Sequence, residues 1–170
     1  MNGQYIKKMD NDELRELMKK HLGNKYNGIV KKSVKMIKER INKLDELEEF
    51  DFLYDEPKIN EEMIVWKKGT VKSAKEALEY VEELLSAYEP GIFGEIWNKF
   101  WERNVFNGLR NKLDSLAKRK FDGDRGTVYW PFRVALSGRK FSPDPIDILQ
   151  SIGKEKALIR IKRAIEKLAA

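Results

Sequence analysis

The residues of this sequence that could do chemistry are cations and planar side chains, concentrated between Lys118 and Pro145. Arginine and lysine neutralise phosphates, and a guanidinium plane or an aromatic ring stacks on a nucleobase. Serine hydroxyls and backbone groups in the same segment add hydrogen-bond donors and acceptors. Cations beside planar and hydrogen-bonding groups suit a polyanionic ligand.

Charge is distributed unevenly along the chain. Residues 1–102 contain 18 Lys/Arg and 21 Asp/Glu, a net charge of −3, whereas residues 103–170 contain 16 and 7, a net charge of +9. The basic half predicts a polyanionic partner, and a solvated Lys-rich helical surface is an equal alternative from charge alone. Six basic residues are our candidates for contacts with phosphate, which set register more than specificity. They are Lys118, Arg119, Lys120, Arg125, Arg139 and Lys140.

Constellations typical of catalysis or metal binding are not found in the sequence. His21 is the single histidine and there is no cysteine, so disulfides and thiolate metal sites are excluded. No Gly-x4-Gly-Lys-Ser/Thr loop occurs, and Gly123 with Gly126 indicates a turn. The acidic residues between Asp45 and Glu56 lack the alternation of a calcium loop and indicate a solvated surface. We predict no catalytic residue, no metal site and no cofactor in this chain.

The composition is typical of a globular protein. Hydrophobic residues make up 41% of the chain and include four Trp, eight Phe and six Tyr, which is enough apolar surface for a core. No apolar run approaches the roughly 20 residues that a membrane helix requires, and the first five residues do not resemble a signal peptide. We therefore expect a cytoplasmic protein with no membrane partner, and we expect a monomer.

Apolar residues recur at helical spacing along almost the whole chain, and no segment shows the period-two alternation of a strand. The pattern predicts an all-α protein with about eight to ten helices and no sheet. Arg160, on the polar sides of the last helix, is expected to be structural and at the surface.

Capping residues and helix breakers divide this pattern. Thr70 is a candidate N-cap, and Asp144 followed by Pro145 has the form of a cap with proline at the first helical position. Gly138 is a candidate helix stop. Pro131 is predicted in the first turn of the helix that Gly138 ends.

The Pro90-Gly91 pair is the best candidate for a boundary between subdomains. We predict three parts: a junction segment with the first helix at 1–23, a first helical subdomain at 24–90, and a second, basic helical subdomain at 91–170.

Four segments carry a resemblance to one family: Met1–Lys7 (MNGQYIK), Trp130–Gly138 (WPFRVALSG), Ser142–Ile146 (SPDPI) and Ile152–Ile161 (IGKEKALIRI). In this order they resemble four features of bacterial-type glutamyl-tRNA synthetases. These features are the Met-Asn-Gly-x-Tyr-Ile-Arg motif after the catalytic half, the Pro-Leu-Arg-x-Ala-Leu-Thr/Ser-Gly signature, the loop before the penultimate helix, and the Leu-Gly-Lys-Glu-x-x-Leu-x-Arg-Leu ending. Between about residues 45 and 120 the similarity is limited to helical character.

The resemblance implies two packed helical subdomains that bind the anticodon of a glutamate-accepting tRNA. The parent would attach glutamate to tRNA with ATP and Mg²⁺. The family's ATP-binding motifs precede the Met-Asn-Gly motif and do not occur in this chain. We therefore expect a C-terminal part that binds tRNA without catalysis, with Met1 an internal methionine and the catalytic domain missing in cis.

The resemblance implies that Arg133, Ser142, Pro143 and Pro145 lie near the first two anticodon bases. Arg133 can stack and donate hydrogen bonds, and the loop offers backbone groups beside a helix N-terminus that favours anions. The family has leucine where this chain has Pro145, so a contact through that backbone N–H is lost, whereas a contact through the carbonyl is possible. Trp130 is a candidate for stacking on a base, and a core position is equally open.

Arg40 aligns with an arginine that reads the third anticodon base in some members of the family. Cytosine offers acceptors at O2 and N3 that a guanidinium satisfies, whereas guanine presents opposed donors, a mismatch of roughly 1–3 kcal/mol or more. Because glutamate and glutamine tRNAs differ here as C versus G, Arg40 favours a discriminating enzyme. The alternative is a helix-surface arginine near Glu39 and Asp45.

Two other classes of function remain open at this point. One is a free-standing basic helical module that binds nucleic acid, although no recognition-helix pattern stands out. The other is a helical protein-interaction domain with a partner groove formed by Trp97, Phe100 and Trp101. An autonomous enzyme is the least favoured class, because no catalytic constellation is found.

Overall fold

The computed structural model describes residues 3–23, 33–87 and 95–169, with side chains from residue 106 onward in the last range. These residues contain nine α-helices, one 3₁₀ segment and no strand, so the all-α prediction is confirmed. The elements are α1 (Gly3–Lys8), α2 (Asn11–Leu22), α3 (Ser33–Lys38), the 3₁₀ segment (Leu44–Leu53), α4 (Glu61–Ile64), α5 (Val71–Ser86), α6 (Glu95–Lys120), α7 (Arg125–Ser137), α8 (Pro145–Ile152) and α9 (Lys154–Lys167).

Helix boundaries that carry a capping side chain agree with the sequence. Thr70 caps α5 in a reciprocal capping box with Ser73. The Asp144 carboxylate accepts from the N–H of Ile146 at 2.9 Å, and Pro145 is the first residue of α8. Gly138 ends α7 with a φ of 65°, a left-handed conformation that glycine adopts without strain.

The predicted position of Pro131 in a first helical turn is wrong. The helix begins six residues earlier, because the Asp124 side chain accepts from the N–H of Gly126 at 2.8 Å and caps α7 there. Pro131 therefore lies inside α7, where it removes one helical hydrogen bond. The turn predicted at Gly123 and Gly126 lies at Asp122–Asp124, with positive φ at Asp122 and Gly123, and Gly126 is already in α7.

The core is organised around α7, which packs against α4, α5, α6, α8 and α9. Val128, Phe132 and Leu136 of α7 are fully buried, as is Leu78 of α5. Helix α5 also packs against α9, and α3 packs against α8. The predicted division at residue 90 falls outside the described residues and stays a prediction.

Arg160 is buried rather than at the surface, which corrects the sequence-based expectation. Its side chain is 1% exposed, and its terminal nitrogens donate to the carbonyls of Phe52 (2.8 Å), Leu136 (2.7 Å) and Asp55 (3.0 Å). The first carbonyl lies in the last turn of the 3₁₀ segment and the second in the last turn of α7, where carbonyls lack a helical partner. Arg160 therefore joins two helix ends from inside, and its burial lowers the pKa of the guanidinium.

Candidate nucleic-acid interface

The connection between α7 and α8, residues 138–144, is named here the α7–α8 loop, and its first half is fixed by Ser137. The Ser137 hydroxyl donates to the carbonyl of Arg133 (2.8 Å), accepts from the N–H of Arg139 (3.2 Å) and lies 3.1 Å from the Ser142 hydroxyl. Gly138 approaches the chain so closely that a Cβ would lie 2.7 Å from the carbonyl oxygen of Lys58. The backbone of this half is therefore held in one conformation.

The second half of the loop is fixed by Asp144. The Asp144 carboxylate caps α8 and also accepts hydrogen bonds from both terminal nitrogens of Arg110 in α6, each at 3.2 Å. The hydrogen bond to Asp144 raises the pKa of Arg110. A second ion pair joins Arg139 to Asp51 of the 3₁₀ segment at 2.8 Å. The loop is thus tied to α6 and to the 3₁₀ segment as well as to its two flanking helices before any ligand arrives.

Arg133 lies on the last turns of α7, directly before this loop. Its side chain is half-buried, and its Nε is shielded from solvent without a hydrogen-bond partner. Within the described residues, its guanidinium has neither a carboxylate nor a carbonyl to bind. The half-buried Ser142 and the buried Pro143 and Pro145 follow. The prolines therefore shape the backbone of the loop and present its polar groups, while Arg133 has donors available.

The structure brings Arg40 to the same edge of the molecule. Its Nη1 donates to the carbonyl of Met36 at the end of α3 (3.1 Å), and its Nη2 lies 3.5 Å from the Asp147 carboxylate in the first turn of α8. Neither Glu39 nor Asp45, the partners considered from the sequence, forms this contact. Burial, followed by the charge of Asp144, raises the pKa of Asp147, and Arg40 opposes the rise.

Trp130 is half-buried and packs against the core. Its ring lies 5.0 Å from that of Trp66 at an angle of 48°, and its indole N–H donates to the carbonyl of Met63 at 2.9 Å. The Trp66 N–H in turn donates to Asp124. These contacts favour the core alternative for Trp130, and base stacking by this residue stays a prediction.

The six cations proposed for phosphate fall into two classes. Three have carboxylate partners: Lys120 with Glu76, Arg125 with Asp114, and Arg139 with Asp51. For Lys118, Arg119 and Lys140, all exposed, the described part of the chain provides no ion pair. The three pairs are themselves at least one-third exposed on the cation, so they contribute little to stability and can exchange for phosphate.

The cations also lie at two separate places. Lys118–Lys120 and Arg125 are at the N-terminal end of α7, whereas Arg139 and Lys140 follow its C-terminal end. Thirteen helical residues separate these ends by roughly 20 Å. The sequence segment from Lys118 to Pro145 therefore forms two basic patches, and only the second adjoins Arg133 and the α7–α8 loop.

Three residues of this surface were not identified from the sequence. Arg110 pairs with Asp144, and Asp147 pairs with Arg40; each pair is distant in sequence and forms only in the folded chain. Phe141 is 90% exposed at the centre of the loop. A signal for Phe141 was available, because an aromatic residue between Lys140 and Ser142 has no helical neighbour to pack against.

Some possibilities fall outside this surface. Among the described residues, no helix is long and apolar enough to cross a membrane, and no group of three or more His, Cys, Asp or Glu could hold a metal ion. The groove proposed from Trp97, Phe100 and Trp101 lies outside the described side chains.

Comparison with known proteins gives a consistent match over nearly the whole chain. A family model described as "Anticodon binding domain" matches residues 12–165. A glutamate–tRNA ligase from Clostridium botulinum is 31% identical over 178 residues, which cover 99% of this chain and 33% of the relative. One from Caldanaerobacter subterraneus is 32% identical over 174 residues, covering 98% and 33%. The chain thus spans about a third of the length of the curated relatives it matches.

Solved structures agree in fold. A glutamate–tRNA ligase from Elizabethkingia meningosepticum, in complex with its amino acid, aligns over 98% of this chain and 31% of its own length, with a TM-score of 0.65 and 26% identity. A glutamate–tRNA synthetase from Elizabethkingia anophelis aligns over 97% of this chain and 30% of its own, with a TM-score of 0.63 and 23% identity. At that lower identity the likeness establishes the fold alone.

Proposed function

The chain belongs to the anticodon-binding domain family, and we propose that it binds the anticodon loop of a glutamate-accepting tRNA as the C-terminal part of a glutamate–tRNA ligase. The observation that carries this proposal is the α7–α8 loop. Its backbone is fixed from both ends, the guanidinium of Arg133 beside it has no partner within the described residues, and Arg40 reaches the N-terminus of α8. A preformed site with unused donors is what RNA recognition needs.

The first two anticodon bases are proposed to contact Arg133 and the loop from Ser142 to Pro145. The planar guanidinium of Arg133 stacks on one base or donates to its Watson–Crick edge. The Ser142 hydroxyl and the carbonyls of the loop form hydrogen bonds to the bases, since the rings of Pro143 and Pro145 are buried and do not contact them. Proline at 145 excludes a contact through its own backbone nitrogen.

The third anticodon base is proposed to contact Arg40. One terminal nitrogen of Arg40 donates to Met36, and the other faces Asp147 at a longer distance of 3.5 Å. A guanidinium carries five N–H donors, so donors remain for O2 and N3 of cytosine. Guanine would leave donors opposed to donors in a partly shielded site. The expected consequence is preference for a glutamate tRNA over a glutamine tRNA.

The chemistry of aminoacylation is assigned to the other two-thirds of the protein. We propose that ATP and Mg²⁺ are held by that catalytic portion in cis, where glutamate would be activated and transferred to tRNA. The present chain supplies binding alone, with Lys118, Arg119, Lys120, Arg125, Arg139 and Lys140 positioning the phosphates. As a cytoplasmic monomer without the acceptor-stem contacts of the parent, it should bind tRNA weakly and with strong salt dependence.

The test is binding of the chain to glutamate tRNA at low salt, beside the same tRNA with the third anticodon base changed from C to G. The wild-type chain should prefer C by about tenfold or more, and Arg40→Gln should remove this preference. Arg163→Gln on α9, which is 55% exposed and paired with Glu56, is the matched control and should keep it. Equal binding of both tRNAs by the wild-type chain would overturn discrimination by Arg40. Absence of tRNA binding at low salt would overturn the proposed function.

A further inference from the structure

Phe141 is the most exposed large hydrophobic side chain among the described residues. Its exposed fraction is 90%, compared with 56% for Tyr5, 49% for Ile159 and 44% for Val71. Exposing a phenyl ring to water is unfavourable, and no described residue covers this one. Phe141 lies in the middle of the α7–α8 loop, and the residues on both sides of it belong to the proposed RNA site. Its location therefore indicates RNA as the ligand of the exposed ring.

The backbone that carries Phe141 is fixed. Two residues before it, Arg139 is held by its N–H to the Ser137 hydroxyl and by its guanidinium to Asp51. One residue after it, Ser142 meets the Ser137 hydroxyl, and Asp144 caps α8. The ring is therefore presented to solvent from an ordered loop, so a ligand that meets it does not have to order the loop first.

The residues that precede Phe141 along the chain are cationic rather than apolar. Arg139 and Lys140 precede it, and Arg133, whose guanidinium has no partner among the described residues, lies one turn before the loop. The other exposed large hydrophobic residues in the described part of the chain belong to α1, α5 and α9 and not to this loop. A protein-binding hot spot has further apolar side chains around it, whereas a single aromatic ring among cations matches the base and phosphate of a nucleotide.

We infer that Phe141 is a stacking platform for one unstacked base of the bound RNA loop. The inference rests on the proposed RNA-binding function and adds a base contact to those of Arg40 and Arg133. Every base has a π-face, so stacking on Phe141 supplies affinity without choosing the base. Phe141 should therefore differ from Arg40 in its effect, lowering the affinity for the C and the G forms of the anticodon by the same factor.

The first experiment compares Phe141→Ala, Phe141→Trp and Phe141→Leu in binding to the anticodon stem-loop of glutamate tRNA. Phe141→Ala should weaken binding by about fivefold to a hundredfold. Phe141→Trp should bind like the wild type, whereas Phe141→Leu should bind as weakly as Phe141→Ala because leucine has no π-face. Since the side chain is 90% exposed, thermal unfolding of all three variants should stay within about 2 °C of the wild type.

The second experiment identifies the base by coupling. Each anticodon nucleotide is made abasic in turn; at one position the loss should weaken binding to the wild-type chain and add nothing for Phe141→Ala. Unchanged affinity of Phe141→Ala for a loop that the wild type binds would overturn the stacking and leave the proposed function intact, with the ring then a contact for protein. Restoration by leucine, or additive losses at all three positions, would also overturn it. Failure of the wild-type chain to bind the loop would instead reject the proposed function together with this inference.

Discussion

Two arginines lie at the C-terminal end of α7, and they differ in burial and in hydrogen-bond partners. Arg160 is 1% exposed and gives its terminal nitrogens to the carbonyls of Leu136, Phe52 and Asp55. Arg133 is half-buried, and its guanidinium has no hydrogen-bond partner within the described residues. The Nε of each arginine is buried without a partner, so the two differ in their terminal nitrogens. An arginine that completes helix ends is part of the fold, and RNA could not reach it without unfolding. An arginine with unused donors beside a fixed loop is available for a ligand.

This difference is not visible in the sequence motifs. Arg133 matches the arginine of the Pro-Leu-Arg signature and Arg160 matches that of the C-terminal ending, so both carry the same family resemblance. Burial and partners separate them, because a charge inside the protein is tolerated only where hydrogen bonds replace its water. Variants at the two positions should accordingly divide stability from RNA binding.

The largest effect is expected for Arg160→Ala. The change leaves buried carbonyls without a donor and a cavity at the junction of the 3₁₀ segment with α7, so the free energy of unfolding should fall by about 3–5 kcal/mol. Arg163→Ala, three residues along α9 and 55% exposed, is the control and should cost less than about 1 kcal/mol. Urea denaturation followed by circular dichroism measures both. Similar losses for the two variants would remove the structural role given to Arg160.

The reverse pattern is expected for Arg133→Ala. Because its guanidinium binds nothing in the described part of the chain, the free energy of unfolding should change by less than about 1 kcal/mol. Affinity for glutamate tRNA at low salt should fall by about tenfold to a hundredfold. Arg133→Lys keeps the charge without the planar fork and should recover only part of the affinity. A large loss of stability with unchanged affinity would mean that Arg133, like Arg160, has a structural role and does not bind RNA.

A smaller effect on stability alone is expected for Trp130→Phe. The variant keeps a ring against Trp66 and loses the hydrogen bond to Met63, which should lower the free energy of unfolding by about 1–2 kcal/mol. Affinity for glutamate tRNA should stay the same, since the ring contact and the indole hydrogen bond of Trp130 are both made to protein groups. Weaker binding by a chain that is as stable as the wild type would return Trp130 to the RNA-binding residues.

The sequence predicted the helical fold and the family, because helical periodicity and the caps at Thr70, Asp144 and Gly138 are local signals that tertiary packing did not override. The resemblance to the family is confirmed by the family model and by the relatives. Pro131 was misplaced because the stronger signal, the N-cap Asp124, lies six residues earlier and the proline is tolerated inside the helix at the loss of one hydrogen bond.

The candidate site was predictable only in part. Arg40 and the α7–α8 loop were each identified, yet their proximity depends on the packing of α3 against α8 and on Asp147. Likewise, spacing along the chain could not reveal that α7 separates the basic residues into two patches. Exposure, which distinguishes Phe141 from the buried Phe132, is a property of the folded surface and not of the residue type.

The smallest expected effect would refine the comparison within the loop itself. Asp51 pairs with Arg139 at 2.8 Å, and both side chains are partly exposed, so Asp51 competes with a phosphate for this arginine. Asp51→Asn should raise the affinity for glutamate tRNA by about two- to fivefold at low salt and change the free energy of unfolding by less than about 1 kcal/mol. The gain should vanish at high salt, where such charges are screened. Asp45→Asn, on the same segment and 89% exposed, is the control for net charge. An equal gain from both variants would mean that Arg139 acts only through the overall field, whereas a gain from Asp51→Asn alone would place a phosphate on Arg139, beside Phe141.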